Sequence, residues 1–349
     1  MNVSAVLLAI VALALFLGTL DSVLLRPGRL AKLLFPAGEK IPVPWSWMDA
    51  GLILFLFFLM PGTLLTVYEL IPEAKRPAIL RFERSEFPAE WVRPLEAVDS
   101  YREQAERSPA AEASDPNEAP SESSEQIQGA FSDLKQLENE HPLTKLLMMA
   151  RQSHRFGLIA LVIFFAGVVA APIAEEFVFR RVLLGSVEKS LAGSAQVKAA
   201  GAIFVSSAAF AAVHWRTASP VGWTDLSRLL TSTFFTPIAL LLTLILSVLW
   251  LRKVCHADAK ALGWDRKRAA ADFLRGVGVF VIFCPQMICM QLALARLFPN
   301  AVTDPIPIFF LAVYLGLLVH KTGRLAPAVG MHAALNLFSF VMILIRCKG

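Results

Sequence analysis

Three short patterns within apolar stretches contain side chains that are able to do acid–base chemistry. They comprise two glutamates, an arginine, two histidines and an asparagine: Glu175, Glu176, Arg180, His214, His332 and Asn336. An ionisable group inside a membrane helix costs roughly 2.5–3.5 kcal/mol on insertion scales, so each of them requires an explanation. Together these residue types provide a base for a water molecule and donors for an oxyanion, which are the groups that peptide hydrolysis requires.

Helix geometry gives the two adjacent glutamates different roles. Glu176 and Arg180 are four residues apart and share a helix face, whereas Glu175 points about 100° away from Glu176. We therefore predict that Glu176 forms a buried ion pair with Arg180 and that Glu175 faces a cavity as a general base. The alternative is a solvated ion pair at a helix end, with no catalytic role.

The two histidine patterns would complete a site around Glu175. His332 and Asn336 are also four residues apart, so their side chains project from one helix face and can act as a pair of oxyanion donors. His214 lies in another segment and would assist Glu175 in taking a proton from water, so that no Ser or Cys nucleophile is needed. The alternative for both patterns is a structural hydrogen bond between neighbouring helices.

The same residues raise the question of a metal. Two imidazoles and one carboxylate are a three-ligand zinc set with an open fourth position. However, Asn336 beside His332 fits a donor pair at least as well, and the sequence contains no His-Glu-x-x-His helix. We predict that no cofactor is required, with zinc as the alternative.

The composition indicates an integral membrane protein. Of the 349 residues, 56% are hydrophobic and 17% are charged, and the mean hydropathy is +0.58, whereas soluble domains are about 45–50% apolar and 25% charged. The net charge of +5 does not indicate nucleic acid, because most basic residues flank apolar runs, where they orient a chain in a bilayer. The expected partners are membrane lipid and a membrane-associated peptide or protein substrate.

Eight apolar segments are long enough to be membrane helices, since crossing a bilayer takes about 20 residues. They lie near 3–20, 47–68, 157–180, 199–218, 229–251, 273–298, 306–320 and 325–345. The predicted fold class is all-α, a polytopic transmembrane bundle of about eight helices. We interpret the first segment as a retained helix rather than a signal peptide, because it lacks a basic start and is followed by Arg26, Arg29 and Lys32.

Basic residues are concentrated in alternate connections between these segments. The basic connections are 26–40, 181–198, 252–268 and 321–324, which the positive-inside rule assigns to the cytoplasm. The alternation supports a multi-pass topology throughout. The expected location is the bacterial inner membrane.

The distribution of polar residues predicts three regions. Residues 1–69 form an N-terminal two-helix membrane segment, and residues 70–155 form a polar extramembrane linker. Within the linker, roughly 105–130 has too few apolar side chains to offset the entropy of ordering, so we predict that it is disordered. Residues 156–349 form the membrane domain that carries the chemistry, with a two-helix insertion at about 219–305.

The three patterns resemble the motifs of the CAAX-prenyl-protease and bacteriocin-processing (CPBP) family. Its Glu-Glu-x-x-x-Arg motif matches Glu175 to Arg180, its Phe-x-x-x-His motif matches Phe210 to His214, and its His-x-x-x-Asn motif matches His332 to Asn336. Members of the family are membrane-embedded proteases, some of which trim prenylated C-a-a-X tails, while others are linked to bacteriocin maturation or immunity. The resemblance implies a glutamate-activated water at Glu175 and an oxyanion site at His332 and Asn336.

The sequence departs from the family pattern in two places. The insertion at about 219–305 separates the second motif from the third, and Arg181 follows Arg180 where the family commonly has glycine. Both departures bear on which class of substrate is bound more than on the reaction itself. The alternative function is a non-catalytic membrane protein, an immunity protein, scaffold or transporter, that uses the same polar cluster for structure or proton relay.

Overall fold

In the residues that the computed structural model describes, all regular secondary structure is helical. These residues are 42–72, 142–152, 155–214, 223–297 and 305–347, with 7, 10, 11, 13–18, 32, 35–38, 75 and 100. No strand occurs among them, which confirms the predicted all-α class. The predicted disordered stretch at 105–130 lies outside the described residues.

Eight helices have defined bounds within the described part of the chain. They are α1 (Trp47–Glu69), α2 (Pro142–Gln152), α3 (Phe156–Ser190), α4 (Ala195–Val213), α5 (Trp223–Lys253), α6 (Ala269–Leu297), α7 (Pro305–Thr322) and α8 (Ala326–Arg346). All except α2 are long and apolar enough to cross a membrane, which confirms the polytopic bundle. The predicted helix at 3–20 is described only in part, at positions 7, 10, 11 and 13–18, all of which are helical.

Large apolar side chains cover the outside of these helices. Phe55, Phe204, Leu274 and Val281 are each exposed over more than half of their surface. Contiguous apolar surface of this kind is unfavourable in water and marks a membrane or protein contact. The exposed side chains therefore agree with helices that contact lipid.

The third and fourth helices differ from their predicted bounds. α3 continues from the predicted end at 180 to Ser190, and α4 spans Ala195–Val213 rather than 199–218. The extension of α3 is stabilised because Leu184 and Val187 are buried, although the polar residues around them suggest a turn. As a result, Glu175 lies deeper in its helix than predicted, and His214 directly follows the end of α4.

The chain divides into two compact units, and the larger contains residues 1–61, 167–217 and 237–338. Its centre is α7, where Tyr314, Leu315 and Leu318 are fully buried. The Tyr314 ring stacks on Phe283 of α6 at 4.2 Å between ring centroids. The inserted helix α6 is therefore part of this core.

Within the larger unit, the described parts of the four basic connections lie at the same end. Three hydrogen bonds join them and the segment before α1: Gly38 N to Lys321 O at 2.9 Å, Leu325 N to Gly263 O at 3.0 Å, and Lys189 Nζ to Trp45 O at 3.0 Å. This arrangement agrees with the alternating topology that the basic residues predict. The assignment of this end to the cytoplasm stays a prediction.

The smaller unit contains residues 62–166, 218–236 and 339–349. Its core joins Leu146, Leu147 and Ala150 of α2 to Ile159 and Ile163 of α3. The helix α2 lies in the segment 70–155 that the sequence analysis treats as a polar linker. The three predicted regions stay predictions.

Candidate active site

The helix that carries both glutamates changes twice from α to π geometry. The π segments are Phe165–Ala170 and Glu176–Leu183, and the short α segment Ala171–Glu175 lies between them. Glu175 therefore ends an α segment and Glu176 begins a π segment. Segments of π geometry inside α-helices are frequent at functional sites.

Glu176 and Arg180 form the predicted ion pair in the core. Glu176 Oε2 lies 3.4 Å from Arg180 Nε, and neither side chain is accessible to solvent. Arg180 Nη1 also donates to Ser206 Oγ at 2.7 Å, and its guanidinium lies 4.8 Å from the Phe210 ring centroid. Buried charges are tolerated only with partners of this kind.

Glu175 faces two imidazoles instead of Arg180. Its Oε2 atom lies 3.7 Å from His214 Nε2 and 3.8 Å from His332 Nε2. The Glu175 side chain is 15% exposed and that of His214 is 31% exposed, whereas His332 is 5% exposed. The Oε2 atom of Glu175 is itself buried and accepts no hydrogen bond from the described residues, so His214 is the more accessible member of this group.

The second nitrogen of each imidazole determines its orientation. His214 Nδ1 lies 2.7 Å from the Phe210 carbonyl oxygen, and His332 Nδ1 lies 3.0 Å from Glu176 Oε1. A carbonyl or a carboxylate can only accept, so both Nδ1 atoms donate a proton. In the neutral imidazoles both Nε2 atoms then carry a free lone pair directed at Glu175.

Ser206 and Phe210 support the site in ways that the sequence analysis did not predict. Ser206 accepts from Arg180 and donates to the Phe179 carbonyl at 2.8 Å. The Phe210 ring lies 4.5 Å from the His214 ring and 5.6 Å from the His332 ring, between centroids. Ser206 lies four residues before Phe210 and therefore on the same face of α4. This helical spacing was the sequence signal that could have identified Ser206 as a site residue.

Asn336 contacts α3 rather than the glutamates. Its Nδ2 atom donates to the Gly167 carbonyl at 2.7 Å. In the π register that carbonyl would pair with the residue five positions on, which is Pro172 and has no N–H. Asn336 therefore supplies the donor that Pro172 lacks, while its second N–H is not needed for this contact.

Glu175, His214 and His332 have side chains of the types that bind zinc, but the distances between their atoms do not suit the ion. Both imidazoles give their Nδ1 protons to outer acceptors and direct Nε2 inward, as zinc-bound histidines do. Tetrahedral zinc ligands at 2.0–2.1 Å from the ion lie about 3.4 Å apart, less than the 3.7 and 3.8 Å separations at Glu175. Among the described residues, no group of three His, Cys, Asp or Glu side chains is arranged to hold a metal ion. As placed, these residues do not fit the ion.

A cavity of about 350 Å³ lies in the larger unit at the end where the basic connections meet. Its walls include four basic side chains and one acidic one: Arg180, Arg181, Lys189, His320 and Glu188. Arg181, which stands where the family commonly has glycine, is buried and donates from Nε to the Ala261 carbonyl at 2.5 Å. Arg180 is common to this cavity and to the buried ion pair.

The helical fold and the approach of His214 and His332 to Glu175 define the class as a polytopic membrane protein with an acid–base cluster among its helices. Residues 157–257 match the family model described as type II CAAX prenyl endopeptidase Rce1-like. This match covers less than half of the chain, and it confirms the resemblance predicted from the motifs.

The match covers the first two motifs and ends before the third. It includes Glu175, Glu176, Arg180 and His214, whereas His332 and Asn336 lie outside it. No curated protein and no solved structure matches the chain. The third motif therefore rests on its sequence pattern and on the contacts of His332.

Proposed function

We propose that this protein is an intramembrane endopeptidase that hydrolyses a peptide bond in a membrane-associated substrate, using a water molecule activated by Glu175. The observation that carries the proposal is the convergence of His214 Nε2 and His332 Nε2 on Glu175 Oε2, at 3.7 and 3.8 Å. The Rce1-like match supports the reaction class. The seven membrane-capable helices within the described residues support a substrate at the membrane.

The first step is attack by a water molecule held between Glu175 and His214, the more accessible of the two imidazoles. A separation of 3.7 Å is too long for a direct hydrogen bond and suits a bridging water. That water donates one O–H to Glu175 and the other to His214 Nε2. Glu175 takes the proton while the water oxygen attacks the carbonyl carbon of the scissile bond.

The second step stabilises the negative charge that develops on the carbonyl oxygen. His332 in its protonated form donates from Nε2, and the second N–H of Asn336 is the candidate partner donor. The C–N bond then breaks, and the proton on Glu175 passes to the leaving amine nitrogen. Water has thereby been divided between the two products, and Glu175 is again a carboxylate.

Glu176 and Arg180 act as positioning residues in this scheme. Glu176 fixes the orientation of His332 through Nδ1 and is itself paired with Arg180. Arg180 is held in turn by Ser206. The reacting groups are thus supported by buried side chains that contact one another, which helps a site to keep its geometry before substrate binds.

The cavity beside Arg180 suggests how the substrate end is recognised. A C-a-a-X tail ends in a free α-carboxylate, and the cavity contains more basic than acidic side chains. Arg180 lies both in the wall of this cavity and beside Glu176, so the cavity adjoins the proposed site. We therefore propose that Arg181 and Lys189 attract the C-terminal carboxylate of the substrate.

The proposed function is tested with purified protein in detergent or vesicles. Quenched fluorescent peptides, prenylated and unprenylated at the C-terminal cysteine, are given to the wild type and to Glu175→Gln. The wild type should cleave a peptide of this panel, and Glu175→Gln should be inactive on it. Equal cleavage by both proteins would remove Glu175 from the mechanism, and no cleavage by the wild type would favour a non-catalytic role.

A further inference from the structure

The helices α6 and α8 touch backbone to backbone at two glycines. A Cβ atom added to Gly276 of α6 would lie 1.9 Å from the Pro327 carbonyl oxygen and 2.7 Å from Met331 N. A Cβ atom added to Gly330 of α8 would lie 2.2 Å from the Phe273 carbonyl oxygen. These distances leave no room for any side chain, so the two helices can approach this closely only with glycine at both positions.

A cluster of ion pairs joins α6 and α8 next to this glycine contact. Asp272 lies in the first turn of α6 and is buried. It pairs with Arg324 Nε at 2.8 Å and with Arg275 Nη1 at 2.5 Å. Because Arg324 lies in the turn just before α8, the pair ties the start of α8 to the start of α6.

Both contacts lie close to a residue of the proposed site. Gly330 precedes His332 by two positions, and Met331 lies against Gly276. His332 in turn is 3.0 Å from Glu176 and 3.8 Å from Glu175. A shift or rotation of α8 relative to α6 therefore changes the position of His332 Nε2 directly.

We infer that α6, which belongs to the inserted pair of helices, is a positioning element of the active site. Gly276, Gly330 and the Asp272–Arg324 pair fix the height and rotation of α8, and through α8 they hold His332 at the two glutamates. This inference rests on the proposed function. It assigns a role to a helix outside the region that matches the Rce1-like family.

The test compares Gly276→Ala and Gly330→Ala with Gly51→Ala, a control in α1. Gly51 is also helical, but a Cβ atom there would meet nothing within 4 Å. At a temperature where each variant is folded, kcat of the two crossing variants should fall about 10- to 100-fold with KM within about twofold, since a displacement of 1 Å can cost that much. Gly51→Ala should keep the wild-type kcat.

A second pair of variants decides the matter if the glycine variants do not fold. Arg324→Lys keeps a cation for Asp272 and should retain most of kcat, whereas Arg324→Gln should lower kcat with little change in KM. Folded Gly330→Ala or Arg324→Gln protein with the wild-type kcat would overturn the inference. So would a loss of activity no larger than the loss of folded protein. A wild type that cleaves no peptide would instead contradict the proposed function.

Discussion

Glu176 holds His332 as well as Arg180. The His332 Nδ1 atom lies 3.0 Å from Glu176 Oε1, while the other carboxylate oxygen faces the guanidinium at 3.4 Å. One buried carboxylate thus links two helices that are far apart in sequence. This relationship divides the roles of the two glutamates more sharply than their spacing alone does.

The first prediction concerns that division. Glu176→Ala or Arg180→Ala leaves an unpaired buried charge, which should cost roughly 3–5 kcal/mol of stability. Glu175→Gln removes a carboxylate that has no ion-pair partner in its own helix, so the melting temperature should stay unchanged or rise. Thermal melting and peptide turnover are measured in parallel for the three variants.

The exposed pair formed by Glu69 and Arg228 provides the control. Their side chains are 42% and 61% exposed, and Glu69→Ala should change stability by no more than about 1 kcal/mol. If Glu175→Gln unfolds the protein while Glu176→Ala stays folded, the two assignments are reversed.

The second prediction separates the two histidines. His214→Ala removes a partly exposed ring whose Nδ1 atom contacts the Phe210 carbonyl and whose Nε2 atom faces Glu175. It should lower kcat about 100-fold or more with a small change in melting temperature. His332→Ala should lower both kcat and the melting temperature, because it also removes the Nδ1–H donor from buried Glu176. Similar melting losses in both variants would contradict this distinction.

The third prediction tests the two roles open to Asn336. Asn336→Ala leaves the Gly167 carbonyl without its donor, at a cost of about 1–3 kcal/mol for a buried acceptor. Adding Pro172→Ala restores a backbone N–H that can reach Gly167 in the π register, so part of the stability should return. We expect turnover to remain low in the double variant, because it still lacks the side chain that would donate to the oxyanion. Recovery of stability and turnover together would make Asn336 a structural residue only.

The fourth prediction concerns metal dependence. The separations at Glu175 lead us to expect turnover that survives incubation with a strong chelator, and purified protein with less than stoichiometric zinc. Metal content is measured by elemental analysis on the same sample that is assayed. Stoichiometric zinc, with activity lost to the chelator and restored by zinc, would establish a metal mechanism instead.

The fifth prediction addresses the proposed carboxylate site. Lys189→Gln should raise KM several-fold for a peptide with a free C-terminus and leave kcat nearly unchanged, because an exposed cation acts mainly on binding. A peptide amidated at its C-terminus should not distinguish the variant from the wild type. Lys260→Gln, which replaces an exposed lysine outside the lining of the cavity, is the matched control. An equal rise in KM for both peptides would contradict recognition of the carboxylate.

The sequence by itself determined the features that depend on local spacing and composition. The membrane class follows from apolar runs of about 20 residues, and the described helices agree with it. The Glu176–Arg180 pair follows from a separation of four residues, and it persists even though the helix is π rather than α there. The family resemblance likewise followed from three short motifs, each contained in one helix or ending directly after it.

The end of α3 and the start of α4 could not be predicted from local pattern. The stretch from Gly185 to Ser190 contains polar and charged residues that read as a turn. Burial of Leu184 and Val187 keeps it helical. Packing against other parts of the chain outweighed local preference, as tertiary contacts commonly do.

Only the tertiary structure decided which groups meet across helices. His332 and Glu176 are 156 positions apart, and Asn336 and Gly167 are 169 apart. Neither helical periodicity nor motif spacing contains information on the relative height and rotation of two helices. Those quantities depend on how closely backbones approach, as at Gly276 and Gly330, where the missing side chain matters more than any side chain present.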